Sequence, residues 1–347
     1  MAIVPTPIET APVMELWQAA VLGLVEGITE YLPISSTGHL IIASGLMGLD
    51  EPARVKAAVD AFNIVIQGGA ILAVLGLYWP RVVQMLKGLA GKDEGGRRLL
   101  INLIIAFIPA AVLGVLLNDI IEAALFNTPS VLIALALGGV YMILLDRWKI
   151  APMRRAEGDG QTRAGREVDE LSKGGALMIG FMQCIAMWPG TSRSMMTITG
   201  GVLAGLRPKA AAEFSFLLGL PTLGGACVYS LYKNLSESAE AGEPNMFEVL
   251  GWGPILIGTA VATVSAAFAV KWRVGFLNKH GLAAFGVYRL VLCVVLGGLI
   301  LGGLIEPPVV EAEPLAGVPT PELIETEAIE ADPMQTDPGG EVIDASD

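Results

Sequence analysis

The chain has 347 residues, 53% of them hydrophobic and 16% charged, whereas soluble domains carry about a quarter charged residues; an ordinary water-soluble globule is excluded. The formal charge of −12 is local. From Glu306 onward twelve acids stand without a single Lys or Arg, leaving twenty-two acids against twenty-two bases in the rest.

In chain order, residues 1–14 read as an N-terminal extension, and MAIVPTPIETAPVMELW, without Lys or Arg before its apolar run, makes a poor signal peptide. Six segments are long and apolar enough to span a bilayer: 62–79, 99–117, 130–146, 212–232, 252–270 and 282–304. Residues 15–48 and 174–207 differ. Each is broken near its middle by Pro and a polar cluster, LPISSTGH in the first and PGTSRS in the second. Each half has only about 16 residues, too few to cross, which predicts re-entrant helix–turn–helix hairpins. Residues 305–347 hold seven prolines and no aromatic residue, so this acidic tail is expected to be disordered. Cys184, Cys227 and Cys293 stand singly in apolar runs; no metal or disulfide spacing appears, and packing is their expected role.

Loop charge orients the spans. Arg81, Lys87, Lys92, Arg97 and Arg98 mark the 80–98 loop. Arg147, Lys149, Arg154, Arg155, Arg163, Arg166 and Lys173 mark 147–173, and Lys271, Arg273 and Lys279 mark 271–281. These three belong to the cytoplasmic side. The loops at 118–129, with Asp119 and Glu122, and 233–251, dominated by Glu, belong outside, as do both termini. The hairpins then enter from opposite faces. GLVEGITEYLP (23–33) and GFMQCIAMWP (180–189) align with one gap. Internal similarity with opposite orientation marks an inverted-topology repeat, which places a site where broken helices meet at mid-membrane. The expected fold is all-α and polytopic: six transmembrane helices plus two re-entrant hairpins in an inverted repeat, over residues 15–304.

The two turns carry the chemistry. Glu26 and Glu30, spaced i, i+4, share one helix face. Carboxylates inside a membrane are costly and point to function; these suit a hard divalent cation, the alternative being a protonated pair at a polar interface. Pro33 ends the first arm, and Ser35, Ser36 and Thr37 supply hydroxyls and a cap for the second. In the other hairpin Pro189-Gly190 breaks the chain, Gly190 permits close backbone approach, and Thr191 or Ser192 caps the next helix, which carries Ser194 and Thr197. Two helix N-termini aimed at one region make an anion site suited to phosphate. Arg193 matches phosphate oxygens, or forms a structural salt bridge to Glu26 or Glu30. His39 can serve as base, acid, phosphate partner or structural residue; His280 receives no role. The P-loop spacing GxxxxGK[ST] is absent. Phosphoryl transfer to water, on a substrate whose other end is lipid, is the expected reaction class.

EGITEYLPISSTGHL and PGTSRSMMT resemble the two signature motifs of the undecaprenyl-diphosphate phosphatases of the bacitracin-resistance type. FNIVIQGGAILAV, INLIIAFIPAAVLG and AAEFSFLLGLPTLGGA are similar to the same family, so that the resemblance covers residues 15 to 304. It implies a bacterial inner-membrane enzyme that removes the terminal phosphate of undecaprenyl diphosphate, sustaining the lipid carrier of cell-wall synthesis and bacitracin resistance. It implies a site open to the periplasm, a Mg²⁺ or Ca²⁺ requirement, and a homodimer as one assembly. The matching positions are Glu26, Glu30, Ser36, His39, Ser192, Arg193 and Thr197. The nucleophile stays open among Ser36 helped by His39, His39 itself, a glutamate and metal-activated water. A lipid-phosphate flippase using the same repeat and phosphate site is the competing expectation; membrane lipids are partners in either case, and no nucleic acid is.

Overall fold

The computed structural model describes residues 13–49, 53–125, 127–158 and 165–304. The acidic tail and nearly all of the N-terminal extension lie outside them. Among the described residues there are thirteen α-helices and no named strand. The first half contains α1 (Leu16–Thr29), α2 (Ser36–Leu46), α3 (Ala53–Leu77), α4 (Trp79–Leu89), α5 (Glu94–Leu125) and α6 (Thr128–Leu145). After α7 (Ala151–Gly158) the second half contains α8 (Lys173–Ile185), α9 (Arg193–Leu203), α10 (Pro208–Ala241), α11 (Met246–Leu250), α12 (Trp252–His280) and α13 (Ala283–Leu301).

Six helices are long and apolar enough to cross a membrane, namely α3, α5, α6, α10, α12 and α13. These are the six segments the sequence singles out. Two of the proposed loops are shorter than hydropathy suggests. Helix α5 runs through 118–125, since NDIIEAAL holds no Gly or Pro to stop it. Helix α10 likewise continues past residue 232 to Ala241, where Gly242 at φ 67° ends it. The three cysteines are free thiols, and each donates to a backbone carbonyl in a packed interface or its own helix.

The halves repeat one another by exchange. Helix α1 packs against α12, and α8 packs against α5. Helix α3 packs against α12, and α10 against α5. Helix α2 meets α13, and α9 meets α6, while the pairs α3–α10 and α6–α13 map onto themselves. The hairpin turns match too. Ser35 and Ser192, the caps of α2 and α9, adopt φ/ψ of 71°/99° and 75°/113°, and they are the only non-glycine residues with positive φ among those described. Each such backbone costs about 1–3 kcal/mol, so surrounding packing must enforce it.

This correspondence corrects the gapped alignment. Counting back from the two serines without a gap superposes Gly23 on Gly180, Glu26 on Gln183 and Glu30 on Met187. The prolines are one position out of step, with Pro33 facing the place of Gly190. The glycines confirm the register by doing the same work. A Cβ on Gly23 would collide with the carbonyl oxygen of Gly258 on α12, and one on Gly180 would lie 2.7 Å from that of Ala106 on α5. At these two positions the hairpins' first arms present glycine to the long helices, so backbones approach closely.

Gly23→Val is therefore expected to destabilise the protein by about 1–3 kcal/mol through overpacking. A fall in the detergent unfolding temperature checks this; an unchanged midpoint would contradict the close α1–α12 contact.

Candidate functional site

The site forms where the two hairpin turns meet. Helix α1 ends at Thr29 and the chain resumes as α2 at Ser36. Ser35 caps α2 by accepting from the Gly38 amide at 3.4 Å. Ser192 caps α9 by accepting from the Met195 amide at 3.3 Å. Ser36 and Arg193 thus occupy the same first position of their respective helices, and both side chains reach one residue. The Ser36 hydroxyl donates to Glu30 Oε2 at 2.8 Å, and Arg193 Nη2 donates to Glu30 Oε1 at 2.8 Å. One carboxylate from the first hairpin therefore binds its own returning helix and the opposite hairpin together. Both side chains of the ion pair are about nine-tenths buried, at 7% and 11% exposure.

A second link is independent of charge. Ser194 Oγ donates to the Leu32 carbonyl at 2.8 Å. Arg193 is steadied from three directions: Nη1 donates to the Ser215 carbonyl at 3.1 Å, the guanidinium stands 5.4 Å from the centre of the Tyr31 ring, and a Cβ on Gly219 would lie 3.1 Å from Nη1. Thr197 donates to the Arg193 carbonyl at 2.9 Å and shares a 2.6 Å hydrogen bond with the Ser215 hydroxyl, fastening α9 to α10. Below Tyr31 lies Phe216, edge-on at 5.5 Å, and against Phe216 stands buried Arg273 at 5.1 Å. Aromatic rings thus floor the site.

Glu26 sits one turn before Glu30, fully buried, and both of its oxygens lack a hydrogen-bond partner. An ionised carboxylate in that state is costly, so the position calls for a proton or a cation. Among the described residues no group of three or more His, Cys, Asp or Glu side chains gathers to hold a metal. The donor set nevertheless fits a hard divalent cation of the kind held by one or two carboxylates, with phosphate oxygens and water completing its shell. Glu26 has free acceptors; Glu30 has its oxygens engaged.

His39 is placed differently from the expectation that it assists Ser36. Its Nδ1 lies 2.7 Å from the Ser35 carbonyl and its Nε2 lies 2.7 Å from the Tyr288 hydroxyl of α13. Ser36 directs its hydroxyl at Glu30 instead. Ser192 shares a 3.2 Å contact with Ser194. Thr191 is buried with an unpartnered hydroxyl, Gly190 holds a positive φ of 88°, and Thr37 is exposed at the start of α2.

Sequence reasoning missed Arg289. Its side chain is wholly buried and donates to four carbonyls: Gly190 at 2.7 Å, Ala134 at 3.0 Å, Thr191 at 3.1 Å and Leu135 at 3.4 Å. It ties the Pro-Gly turn of the second hairpin to α6. Gly138 makes the slot, since a Cβ there would come within 2.5 Å of Arg289 Nη2. The available signal was a lone Arg inside the last apolar span, since intramembrane charges are rare and need partners.

Six apolar helices, with broken helices from two related halves meeting at a carboxylate–guanidinium pair beside capped helix starts, define a polytopic membrane protein. Residues 19–295 match the family model described as bacitracin resistance protein BacA. The chain is 41% identical over 294 residues to the undecaprenyl-diphosphatase of Deinococcus radiodurans, covering 84% of this chain and 98% of that one. It is 40% identical over 285 residues to the undecaprenyl-diphosphatase of Geobacillus kaustophilus, covering 82% and 97%. It is 43% identical over 280 residues to undecaprenyl-diphosphatase 1 of Stutzerimonas stutzeri, covering 80% and 92%. The chain belongs to the BacA family.

Arg289→Met should leave the turn carbonyls of Gly190 and Thr191 without donors, at about 1–3 kcal/mol each. Thermal unfolding in detergent should show that loss, and Arg289→Lys should recover only part of it.

Proposed function

We propose that the protein hydrolyses undecaprenyl diphosphate to undecaprenyl phosphate and inorganic phosphate. The observation that carries this reading is the Glu30 carboxylate joined to Ser36 and Arg193 in a buried junction, in a chain of this family. The acidic group accepts a proton, the guanidinium takes phosphate oxygens in its planar fork, and two helix starts add N–H groups favourable to anions.

The steps follow from the contacts. The terminal phosphate draws Arg193 Nη2 from Glu30 while Ser215 keeps Nη1 in place. Ser36 already presents its proton to Glu30 Oε2, so Glu30 is the base for an attack by Ser36 Oγ, or by water standing where that hydroxyl points. The new O–P bond forms as the bridging P–O bond breaks, and the lipid monophosphate leaves. If Ser36 is the nucleophile, water then cleaves the phosphoserine and regenerates it. A divalent cation, Mg²⁺ or Ca²⁺, would be held by Glu26, with Glu30 adjacent, and would neutralise charge on the phosphate oxygens.

The loop charges support both hairpins being re-entrant and entering from opposite faces of a bacterial inner membrane, with the termini and the site's mouth on the periplasmic side. The exchange of helix pairs between halves supports the inverted-repeat reading. A homodimer is compatible with the family.

Phosphate release by purified protein in detergent, where transport has no meaning, separates hydrolysis from lipid flipping. Turnover on isoprenyl diphosphate is expected for wild type and a loss of about a hundredfold or more for Glu30→Gln. Binding without release would support a flippase and overturn the reading. Arg193→Ala should lose activity, and also stability by about 3–5 kcal/mol because Glu30 is left buried without its cation. Glu26→Gln should abolish stimulation by added Mg²⁺ or Ca²⁺ after chelation. Full activity of Ser36→Ala would assign the attack to water, and trapped phosphate on Ser36 would assign it to the hydroxyl.

A further inference from the structure

We propose that Tyr288 is a positioning residue of the hydrolytic site, acting through His39; the role rests on the diphosphatase reading above. The two ring nitrogens of His39 meet different partners. Nδ1 lies 2.7 Å from the Ser35 carbonyl oxygen, which can only accept. Nδ1 therefore carries the hydrogen. In the neutral ring Nε2 is then the lone-pair nitrogen, and the Tyr288 hydroxyl 2.7 Å away must donate to it. The rings are also stacked, with centroids 5.6 Å apart and planes 2° apart. The imidazole is thus fixed in tautomer by one contact, in direction by another and in tilt by a third.

Two consequences follow. Nε2 points to α13 rather than to Ser36, whose hydroxyl donates to Glu30, so proton exchange at His39 runs through the nitrogen that faces Tyr288. Tyr288 is 44% exposed, so its hydroxyl stands between the buried turn and the surface. When Nε2 takes up a proton, the Tyr288 oxygen can turn from donor to acceptor without either ring moving. The neighbouring charged group on α13 is Arg289, whose nitrogens are committed to carbonyls of the second turn and of α6. Adjacent residues of one helix therefore hold the two hairpins, Tyr288 through His39 and Arg289 through Gly190 and Thr191. The Ser35 carbonyl that orients His39 belongs to one of the two strained cap residues. Anchoring His39 from α13 thereby also steadies the turn that presents Ser36.

Three measurements test this. In His280→Asn protein, which leaves His39 as the sole histidine, nitrogen NMR should show His39 Nδ1 protonated and Nε2 as a hydrogen-bonded acceptor. The opposite tautomer overturns the proposal without any change at Tyr288, and this readout stands whether or not the protein proves to be a diphosphatase. Tyr288→Phe keeps the stack and removes the hydroxyl. It should lower kcat by about tenfold, with KM for isoprenyl diphosphate within about twofold, and shift the His39 nitrogen signals toward mixed tautomers. Wild-type kcat with unchanged signals overturns the role. Tyr288→Leu removes the stack as well and should fall below Tyr288→Phe; equal kcat in the two variants, with His39 signals as in wild type, would mean that Tyr288 only fills space. A wild type that hydrolyses no isoprenyl diphosphate would defeat the functional reading alone.

Discussion

Everything in this structure turns on holding one buried carboxylate between two donors that arrive from different halves of the chain. Glu30 is largely shielded from solvent, and in the resting site Ser36 and Arg193 both reach it and offset the cost of burying its charge. That demand fixes the positions of the first residues of α2 and α9. The strained backbones of Ser35 and Ser192 serve it by turning the chain sharply enough for the returning helix to start beside the arm that entered. Gly23 of α1 and Gly180 of α8 serve it by letting the hairpins' backbones approach α12 and α5 closely.

The repeat explains why the site is asymmetric. The two turns share backbone geometry, yet Glu26 and Glu30 correspond to Gln183 and Met187, and Ser36 corresponds to Arg193. Two copies of the first turn would bring four carboxylates together with no cation. Two copies of the second would bring two guanidiniums together with no acid. Only divergence within a shared frame yields an acid from one side and a cation from the other. Gln183 keeps the shape of Glu26 but is neutral, and its Oε1 accepts from Thr222 on α10 at 3.2 Å. The shared turn geometry brings the helix starts together, and the differing side chains supply the chemistry.

Hydropathy made the six spanning helices legible, and the broken arms were legible from length and from Pro beside polar clusters. The meeting of Glu30 and Arg193 was legible only as a consequence of the repeat, since 163 residues separate them. Three features were not. The pairing of prolines misled the repeat alignment by one residue, because the conserved geometry belongs to the serines after them and φ signs cannot be read from Ser. The roles of Arg289 and Tyr288 depend on which face of α13 meets the turns, and an apolar span of this kind carries little periodic signal. The target of the Ser36 hydroxyl was hidden as well: His39 is closer in sequence than Glu30, but its nitrogens were already bound by Ser35 and Tyr288.

The position of α13 in the chain has a consequence for how the site comes into being. Glu26 lies near the start of the described chain and Tyr288-Arg289 near its end, so the junction draws on nearly the whole described chain. Helix α13 packs on α6, which also receives the Arg289 guanidinium through the carbonyls of Ala134 and Leu135. Until α13 docks, Gly190 and Thr191 lack donors for their carbonyls and His39 lacks its outer partner. Each hairpin can form locally, since its capping and helix bonds lie within a few residues, whereas their mutual register is a long-range property with a high entropic cost of closure. The last helix therefore holds both turns at once, through His39 in the first hairpin and through Gly190 and Thr191 in the second.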